Sequence, residues 1–468
     1  MLHTEKSAAT PTEDARLSRR ALWRTVAVSG GVGMAILGDS ALYAVLPTQV
    51  DVIDISAATA GLVLSINRFA RLATNTLAGR IMARYGAEKP FGVALLCSVL
   101  STIVWATSLP VAALMAGRIL WGFCWSLLRL GGLLSAISGP PVTQGTRMGV
   151  FRGVFRSGSL VAAIAAGLLT DLYGFRTALL VMAVASALAV PIYWKIRPFR
   201  DIERDSTGSA GAAGGAGDAG GAGDAGGAGD AGGAGGAEGR GGTTRSSAAA
   251  LPSSKVTAAG TPSPAGLPWR RLLFYAAVTV NYFLLALFST TMGYYLKQRA
   301  DAAELLMGIA TLSGLLMAWM WLCNTVLGPV FGVVIDKLGR RSTLAALALA
   351  EFSALAFINF TPHPGYTVAV IALALAAGAG LEVALDTVAG DMATESGDSK
   401  RFLSVYTNWI DAGSATGPLV GYTIGMHIGF PAMYTVFGAL AFAGIGLVAT
   451  GIPHRSSRSR QAGQATDA

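Results

Sequence analysis

The chain has 468 residues, of which 53% are hydrophobic and 13% are charged, and its mean hydropathy is +0.54. This composition is too apolar for an ordinary soluble protein. The net charge is +9, but the basic residues cluster beside apolar stretches, as they do in membrane proteins. We therefore expect a lipid bilayer as the partner and not a nucleic acid.

A helix that crosses a membrane needs about 20 mainly apolar residues. Such stretches lie, in chain order, near residues 25–47, 58–82, 91–109, 110–135, 149–171, 176–195, 270–296, 304–334, 342–360, 366–390, 402–428 and 430–452. The sequence therefore predicts an all-α integral membrane protein with twelve transmembrane helices, which we number 1 to 12 in that order.

The basic residues alternate between the two ends of these helices. One set of ends carries Arg16, Arg19, Arg20 and Arg24; Arg80, Arg84 and Lys89; Arg147, Arg152 and Arg156; Lys337, Arg340 and Arg341; Lys400 and Arg401; and Arg455, Arg458 and Arg460. The opposite turns are poor in bases, with the exception of Lys297 and Arg299. Because cytoplasmic loops are rich in Lys and Arg, we expect tails 1–24 and 453–468 in the cytoplasm and the helices in a cell (inner or plasma) membrane.

A polar stretch, residues 196–269, separates helices 6 and 7. Its centre repeats Gly, Ala and Asp every six residues, which offers no side chains for a packed core and is typical of a flexible linker. The linker leaves six predicted helices on each side, at residues 25–195 and 270–452. This organisation indicates two six-helix repeats.

Sequence similarity between the two halves supports a duplication. Gly79 aligns with Gly332, and Gly86 with Gly339, at an offset of 253 residues. Helices 5 and 11 align at an offset of 255 residues, with the "GF" pair at 174–175 opposite the one at 429–430. Repeats of this kind are common in transporters that bind their substrate between the halves near the middle of the membrane.

The turn after helix 8 has the pattern G-x-x-x-D-K-x-G-R-R. Its residues are Gly332, Asp336, Lys337, Gly339, Arg340 and Arg341. Together with the twelve spans and the central linker, this turn resembles the major facilitator superfamily over residues 20–452. The resemblance implies a cytoplasmic gate loop whose charges form contacts in one state and release them in another. A purely topological role of the bases is the alternative. The first-half copy has Ala83 where the acid is usual.

Helices 4 and 5 resemble motifs of proton-coupled antiporters in that superfamily. Helix 4 matches L-x-x-x-R-x-x-Q-G at Leu114, Arg118 and Gly122, with Trp121 in place of Gln. Helix 5 keeps the glycine spacing from Gly158 but has Ala residues at its central Gly-Pro. The helix 4 motif favours export, whereas the small residues of helix 5 are also explained by close helix packing.

Asp39 and Arg118 are the predicted proton-coupling pair. Counting 1.5 Å per residue, Asp39 lies about 12 Å from the outer end of helix 1, and Arg118 lies about 12 Å into helix 4. Arg68 reaches a similar depth, about 15 Å into helix 2. Alternate exposure of Asp39 and changing contact with Arg118 would let the acid bind and release a proton. A permanent structural pair is the alternative.

The predicted substrate cavity is lined from both halves. Arg68, Arg71 and Asn75 share one face of helix 2, and they either bind an anionic cargo or pair internally. Further candidates are Asn408 and Asp411 in helix 11, and Trp121, which either stacks on a ring-bearing cargo or packs against its neighbours. Glu382 and Asp386 share a face of helix 10, and Asp386 is expected near the cytoplasmic end. Glu351 ranks low because helix 9 is expected at the periphery.

We predict a proton-coupled secondary transporter that moves a small organic solute by alternating access, with export favoured. Uptake of an organic anion is the alternative, motivated by Arg68, Arg71 and Arg129. A transport-silent sensor or scaffold is an alternative of another class. The sequence lacks G-x-x-x-x-G-K-[ST], G-x-S-x-G and H-E-x-x-H motifs, so neither ATP drive nor an enzyme is expected. We expect no cofactor or metal, and a monomer whose partners are the solute, the proton and lipid.

Overall fold

The computed structural model describes residues 11–107, 110–139, 143–200, 268–299, 307–360, 363–395 and 399–451. Almost all of the predicted linker and the whole tail 453–468 lie outside these residues. The described helices form twelve rods, α1 to α12. They are Pro11–Ala35 with Leu37–Val45 (α1), Ala57–Tyr85 (α2), Glu88–Ala106 (α3), Val111–Ile137 (α4), Gln144–Tyr173 (α5), Phe175–Ala187 with Ala189–Ile196 (α6), Pro268–Arg299 (α7), Ile309–Leu322 with Gly328–Leu338 (α8), Arg340–Phe357 (α9), Pro364–Glu395 (α10), Ser399–Ile428 (α11) and Phe430–Thr450 (α12).

The first rod begins earlier than the sequence led us to expect. Helix α1 already includes Pro11, the first residue that the structure describes, and thus extends into the tail predicted at residues 1–24. The predicted membrane span of residues 25–47 is therefore the later part of a longer rod.

Rod α8 contains an irregular segment. Residues Cys323–Leu327 form a π-helical turn between the two α-helical parts of the rod. Pro329 follows in the sequence, and a proline supplies no N–H group for a helical hydrogen bond. Single π turns within α-helices are frequent at functional sites.

Two helices are less apolar than the rest. Ten described helical stretches are long and apolar enough to cross a membrane, and α2 and α11 are not among them. Both carry charged residues along their length, including Arg68 and Arg71 in α2 and Asp411 in α11. These two helices pack against each other. Charged groups inside membrane proteins face a partner or a water-filled cavity and not lipid, which explains this pairing.

The two six-helix repeats have equivalent turns. Gly86, Gly174, Gly339 and Gly429 all have positive φ angles, of 75°, 88°, 88° and 85°. They are the two pairs that align between the halves of the sequence. Each glycine follows the last residue of one helix, and the next helix begins one or two residues later. Because side chains disfavour positive φ, glycine at these turns follows from the repeated backbone.

The apolar core lies in three clusters. One cluster is confined to α1–α6 and the turn after it, and a second is confined to α7–α12. The third contains residues of both halves, among them Leu46 and Ala166 of the first and Ala310 and Tyr422 of the second. The end of the bundle at which α1 ends and α2 begins is called the distal face below. The opposite end, where α1 begins and α12 ends, is called the terminal face.

Candidate functional site

A buried ion pair joins α1 to α4. An Nη1 of Arg118 pairs with Oδ1 of Asp39, and the two side chains are 1% and 13% exposed. The Nε of Arg118 also donates to the carbonyl oxygen of Val63 in α2 at 3.3 Å. Asn67 Nδ2 lies 3.5 Å from the same Asp39 oxygen. The structure therefore brings the two predicted coupling residues together inside the first half.

The ring of Tyr43 connects this pair to α2. The guanidinium carbon of Arg118 lies 5.2 Å from the centre of the Tyr43 ring, and that of Arg68 lies 5.0 Å from it. The Tyr43 hydroxyl donates to the carbonyl oxygen of Leu64 at 2.8 Å. Cations are attracted to aromatic faces at such distances. Arg118 and Arg68 are thus separated by one aromatic side chain.

The polar face of α2 meets α11 of the other half. Arg71 Nη2 pairs with Asp411 Oδ1 at 3.1 Å, and Asn75 Nδ2 lies 3.5 Å from Asp411 Oδ2. Arg68 Nη1 donates to the carbonyl oxygen of Ser414 at 2.8 Å. The i, i+3, i+7 spacing predicted one shared face, and here that face is occupied by internal partners across the two halves.

The contact between α2 and α11 continues towards the distal face, where α5 and α8 also approach each other closely. A Cβ added to Gly61 of α2 would lie 2.8 Å from the Pro418 carbonyl oxygen of α11. A Cβ on Gly167 of α5 would lie 2.6 Å from the Ala310 carbonyl oxygen of α8. Only glycine fits such contacts. We call these two helix crossings, α2 with α11 and α5 with α8, the distal seam.

Charged groups border the distal seam. Asp171 of α5 accepts from the backbone N–H groups of Ala310 and Thr311 at 3.3 and 2.6 Å. These groups lie in the first turn of α8, where a carboxylate also interacts favourably with the helix dipole. Lys297 pairs with Asp51 at 2.6 Å. Both contacts join the first half to the second at the distal face.

The part of the bundle between its middle and the terminal face carries charges of opposite sign on its two halves. Arg156 of α5 interacts electrostatically with Glu382 of α10, and Asp386 interacts with Arg152 and Arg156. Arg152 and Asp386 are exposed, whereas Arg156 and Glu382 are half-buried. The structure is therefore closed along the distal seam, whereas water reaches Arg152 and Asp386. The space between these four charged residues is called the charged cavity below.

Further polar and aromatic groups lie around these charges. Arg156 stacks on the Trp321 ring at 4.3 Å, and the Tyr406 hydroxyl donates to Asp386 at 2.7 Å. Arg129 of α4 interacts electrostatically with Asp411 and Arg152. It thus connects the charged cavity with the seam.

The remaining predicted cavity residues are placed differently. Asn408 lines a cavity of about 380 Å³ together with Leu72, Trp409 and Ala412, between α2 and α11. Trp121 is 3% exposed and lies in the core of the first half, with its ring 6.0 Å from that of Trp125. In this conformation Trp121 contacts its packing neighbours and does not face open space.

The predicted gate loop connects α8 to α9. Arg340 Nε pairs with Asp391 at the end of α10 at 2.8 Å, so this contact lies within the second half. Gly339 forms the turn, with a φ angle of 88°. Lys337 and Arg341 are exposed. The surroundings of Gly332 and the side chain of Asp336 lie outside the described part of the structure, and the gate role remains a prediction.

The glycines of helices 5 and 11 have equivalent packing roles. Gly158 of α5 lies directly against the backbone of Gly33 in α1, and Gly413 of α11 lies against the Thr279 carbonyl of α7. This close packing corresponds to the second interpretation of the glycine motif. Among the described residues, no group of three or more His, Cys, Asp or Glu side chains is arranged to hold a metal ion.

Sequence reasoning did not assign Arg152, Arg156, Tyr282 or Tyr406 to the site. Arg152 and Arg156 were attributed to membrane topology because they lie near a predicted helix end. Their i, i+4 spacing, which places both on one helix face, was the available signal. Tyr282 interacts with Asp386 and Glu382, and nothing in the local sequence distinguishes it from a packing tyrosine.

Solved structures that are similar to this chain include peptide transporters. A peptide transporter POT in complex with sulfate is 13% identical, with a TM-score of 0.64 and coverage of 94% of this chain and 97% of that one. A POT mutant bound to alafosfalin is 15% identical, with a TM-score of 0.62 and coverage of 93% and 99%. At this identity the likeness concerns the fold. A search of curated protein sequences finds no match.

A sequence profile described as Major Facilitator Superfamily matches residues 28–324 and 274–467. The matches cover both halves, in agreement with the duplicated helices and the equivalent glycine turns. The membrane-crossing helices, the twofold repeat and this match agree with the resemblance found in the sequence. The chain therefore belongs to the Major Facilitator Superfamily and is a multi-pass membrane transporter, not an enzyme.

Proposed function

We propose that the protein moves a small organic solute by alternating access and couples this movement to protons through Asp39 and Arg118. The observation that carries the proposal is the buried Asp39–Arg118 pair, which lies one aromatic ring away from Arg68 at the contact between the halves. Protonation of Asp39 would remove the negative charge of this ion pair. Arg118 would then shift against Tyr43, which also contacts Arg68.

The contacts between the halves supply the second part of the mechanism. Arg68 and Arg71 bind α11 through Ser414 and Asp411, and these contacts must break when the distal seam opens. In alternating access, the halves rock against each other about the substrate site. The motion that opens the distal seam would therefore close the charged cavity. We therefore propose that the Asp39 protonation state sets the free-energy difference between the two arrangements.

The charges of the cavity favour a solute with an anionic group. Arg129 and Arg152 lie near each other, and a guanidinium binds carboxylate, phosphate or sulfate groups through two parallel hydrogen bonds. Glu382 and Asp386 belong to α10 of the second half, opposite these arginines of the first half. They favour a cationic or hydrogen-bond-donating group at the other end of the solute. This supports the organic anion alternative among the solute classes.

The direction and setting of transport follow the sequence expectations. Export is favoured by the helix 4 motif around Arg118, and uptake of an organic anion is the alternative supported by the cavity arginines. With both termini in the cytoplasm of an inner or plasma membrane, the terminal face would be the cytoplasmic one. We expect the functional unit to be a monomer.

The test uses the purified protein in liposomes that enclose a pH-sensitive dye, with a panel of organic anions, cations, zwitterions and neutral aromatic compounds outside. We expect one class to evoke a proton flux that Asp39→Asn abolishes. Glu88→Gln is the matched control, since Glu88 is a buried carboxylate at the terminal end of α3 that also pairs with an arginine, Arg197, at 3.8 Å.

Other outcomes would change the proposal. Solute movement without proton flux in Asp39→Asn would agree with the coupling role, because transport itself needs only the alternating halves. Equal proton flux in Asp39→Asn and the parent would contradict that role. Absence of movement of every compound, in a protein that is folded and inserted, would favour the sensor or scaffold alternative.

A further inference from the structure

A carboxyl group lies inside the second half, away from the seam. Glu351 is in α9, and α9 packs against α10 and α12. The side chain is 5% exposed. Its Oε1 lies 2.8 Å from the position that a Cβ would take on Gly378 of α10, and a Leu285 methyl group of α7 lies 3.5 Å from the same position. The absence of a side chain at Gly378 thus creates the space for this carboxyl group.

The surroundings of Glu351 offer it no positive charge. Among the described residues no hydrogen bond or ion pair to it is found, and the charged group with which it interacts electrostatically is Glu382. Helix α12 has no Asp, Glu, His, Lys or Arg, and Tyr434 is its titratable residue. From α7, Tyr282 faces Glu382. A buried carboxylate without a partner has a large desolvation cost, and such a group becomes neutral instead.

Glu382 is the acidic neighbour of Glu351 and belongs to the charged cavity. It is four residues after Gly378, hence one helical turn further along the same face of α10. It is half-buried, and it interacts electrostatically with Arg156 of the first half. Two acidic groups in such proximity titrate as a coupled pair, because ionising one disfavours ionising the other.

We propose that Glu351 and Glu382 form a second proton site, located in the second half and separate from Asp39. A proton from cavity water binds a carboxylate oxygen of Glu382 and is passed to Glu351, so that one O–H bond forms for each one that breaks. When Arg156 is close, Glu382 is the carboxylate and Glu351 holds the proton. When the halves separate and Arg156 withdraws, Glu382 takes up a proton as well.

The presence of the site does not depend on the proposed transport function, although its effect on coupling does. The distinguishing measurement is therefore spectroscopic. Infrared spectra of the purified protein are recorded over a pH series, in H₂O and D₂O, and the carbonyl stretch of protonated carboxyl groups is followed. This signal requires neither a solute nor turnover.

The parent protein is expected to show a protonated carboxyl signal at neutral pH that is missing in Glu351→Gln and present in Glu88→Gln. In Glu382→Gln the Glu351 signal should persist but disappear at lower pH than in the parent, since Glu351 then ionises beside a neutral amide and not beside a second carboxylate. This variant also decides the matter if Glu351→Gln fails to fold.

Two results would overturn the proposal. The first is a neutral-pH signal that is absent in the parent or unchanged in Glu351→Gln. The second is a Glu351 signal whose pH dependence is the same in Glu382→Gln and the parent, which would leave Glu351 a solitary buried acid. Loss of transport in any variant would not affect either result, so failure of the transport mechanism is recognised separately.

Discussion

The two central ion pairs have similar chemistry but different positions. Asp39–Arg118 lies within the first half, so a rigid movement of one half against the other leaves it intact. Arg71–Asp411 joins the halves and must break in such a movement. The comparison teaches that a proton acceptor and a conformational contact are separate parts of this molecule. Tyr43 and Arg68 connect them.

Removing the acid of the first pair should have the largest effect. In Asp39→Asn, Arg118 stays buried at 1% exposure without its carboxylate. Breaking a buried ion pair on one side costs about 3–5 kcal/mol, and we expect the free energy of unfolding in detergent to fall by that amount. Denaturant unfolding followed by tryptophan fluorescence measures it.

The double variant Asp39→Asn with Arg118→Gln is the control for charge imbalance. It should recover most of the lost stability, because no charge remains unpaired, while proton-coupled flux stays absent. An unchanged stability of Asp39→Asn alone would mean that the pair contributes little to the fold. Restored proton flux in the double variant would contradict the role of Asp39 as proton acceptor.

Removing the acid of the second pair should shift the conformation more than the stability. Asp411→Asn weakens the contact of α11 with Arg71 and Asn75. We expect a loss of roughly 2 kcal/mol from the closed seam, which is about a thirtyfold change in the ratio of the two arrangements. Spin labels at Val52 and Met307, both exposed residues of the distal face, report the separation of the halves.

Asp391→Asn serves as the matched control for that experiment. Asp391 is also paired with an arginine, Arg340, but within the second half. Its removal should leave the distal distance unchanged. A distance distribution in Asp411→Asn that is identical to that of the parent would show that the pair does not hold the seam.

A change in packing at the seam should act in the same direction with a similar or smaller effect. In Gly167→Ala the added methyl group would lie 2.6 Å from the Ala310 carbonyl, and overpacking of this kind costs about 1–3 kcal/mol. We expect an increased share of the long distance between the same labels. Gly153→Ala in the same helix has no atom within 4 Å of its new methyl and should leave the distance unchanged.

The exposed pair at the rim should have the smallest effect. Lys297 and Asp51 are 2.6 Å apart, with 29% and 77% of their side chains exposed. Exposed pairs contribute about 0–1 kcal/mol and less at high salt. Lys297→Gln should therefore change the distance distribution slightly at low salt and not at high salt. A salt-independent opening as large as that in Asp411→Asn would indicate that the rim governs the seam.

Much of the architecture could be predicted because it follows from local patterns. Apolar length predicted the helices, and the glycine pairs at turns predicted the repeat. The helical residues of α1 before position 25 were missed, since hydropathy indicates membrane crossing and not helicity. The polar face of α2, with Arg68, Arg71 and Asn75, was also evident from spacing alone.

The partners of those residues could not be predicted, because they depend on how distant helices dock. Nothing in the sequence of α2 indicates that Arg71 meets Asp411 and that Arg68 meets a backbone carbonyl. For Trp121 the sequence predicted the helix but left open whether its face is packed. The structure places Trp121 in the core of the first half. Arg156 was assigned to topology because it lies near a predicted helix end, and its partner Glu382, which lies in the other half, could not be recognised from the sequence.

The most direct test of the account measures the distal distance as a function of pH. Labels at Val52 and Met307 in a cysteine-free background are followed between about pH 5 and pH 8 in the parent and in Asp39→Asn. Asp51, Asp54 and Asp171 also lie at this face, and both proteins contain them. The account predicts that the ratio of short to long distances changes with pH in the parent and much less in Asp39→Asn. The same pH response in both proteins would contradict coupling of Asp39 to the seam.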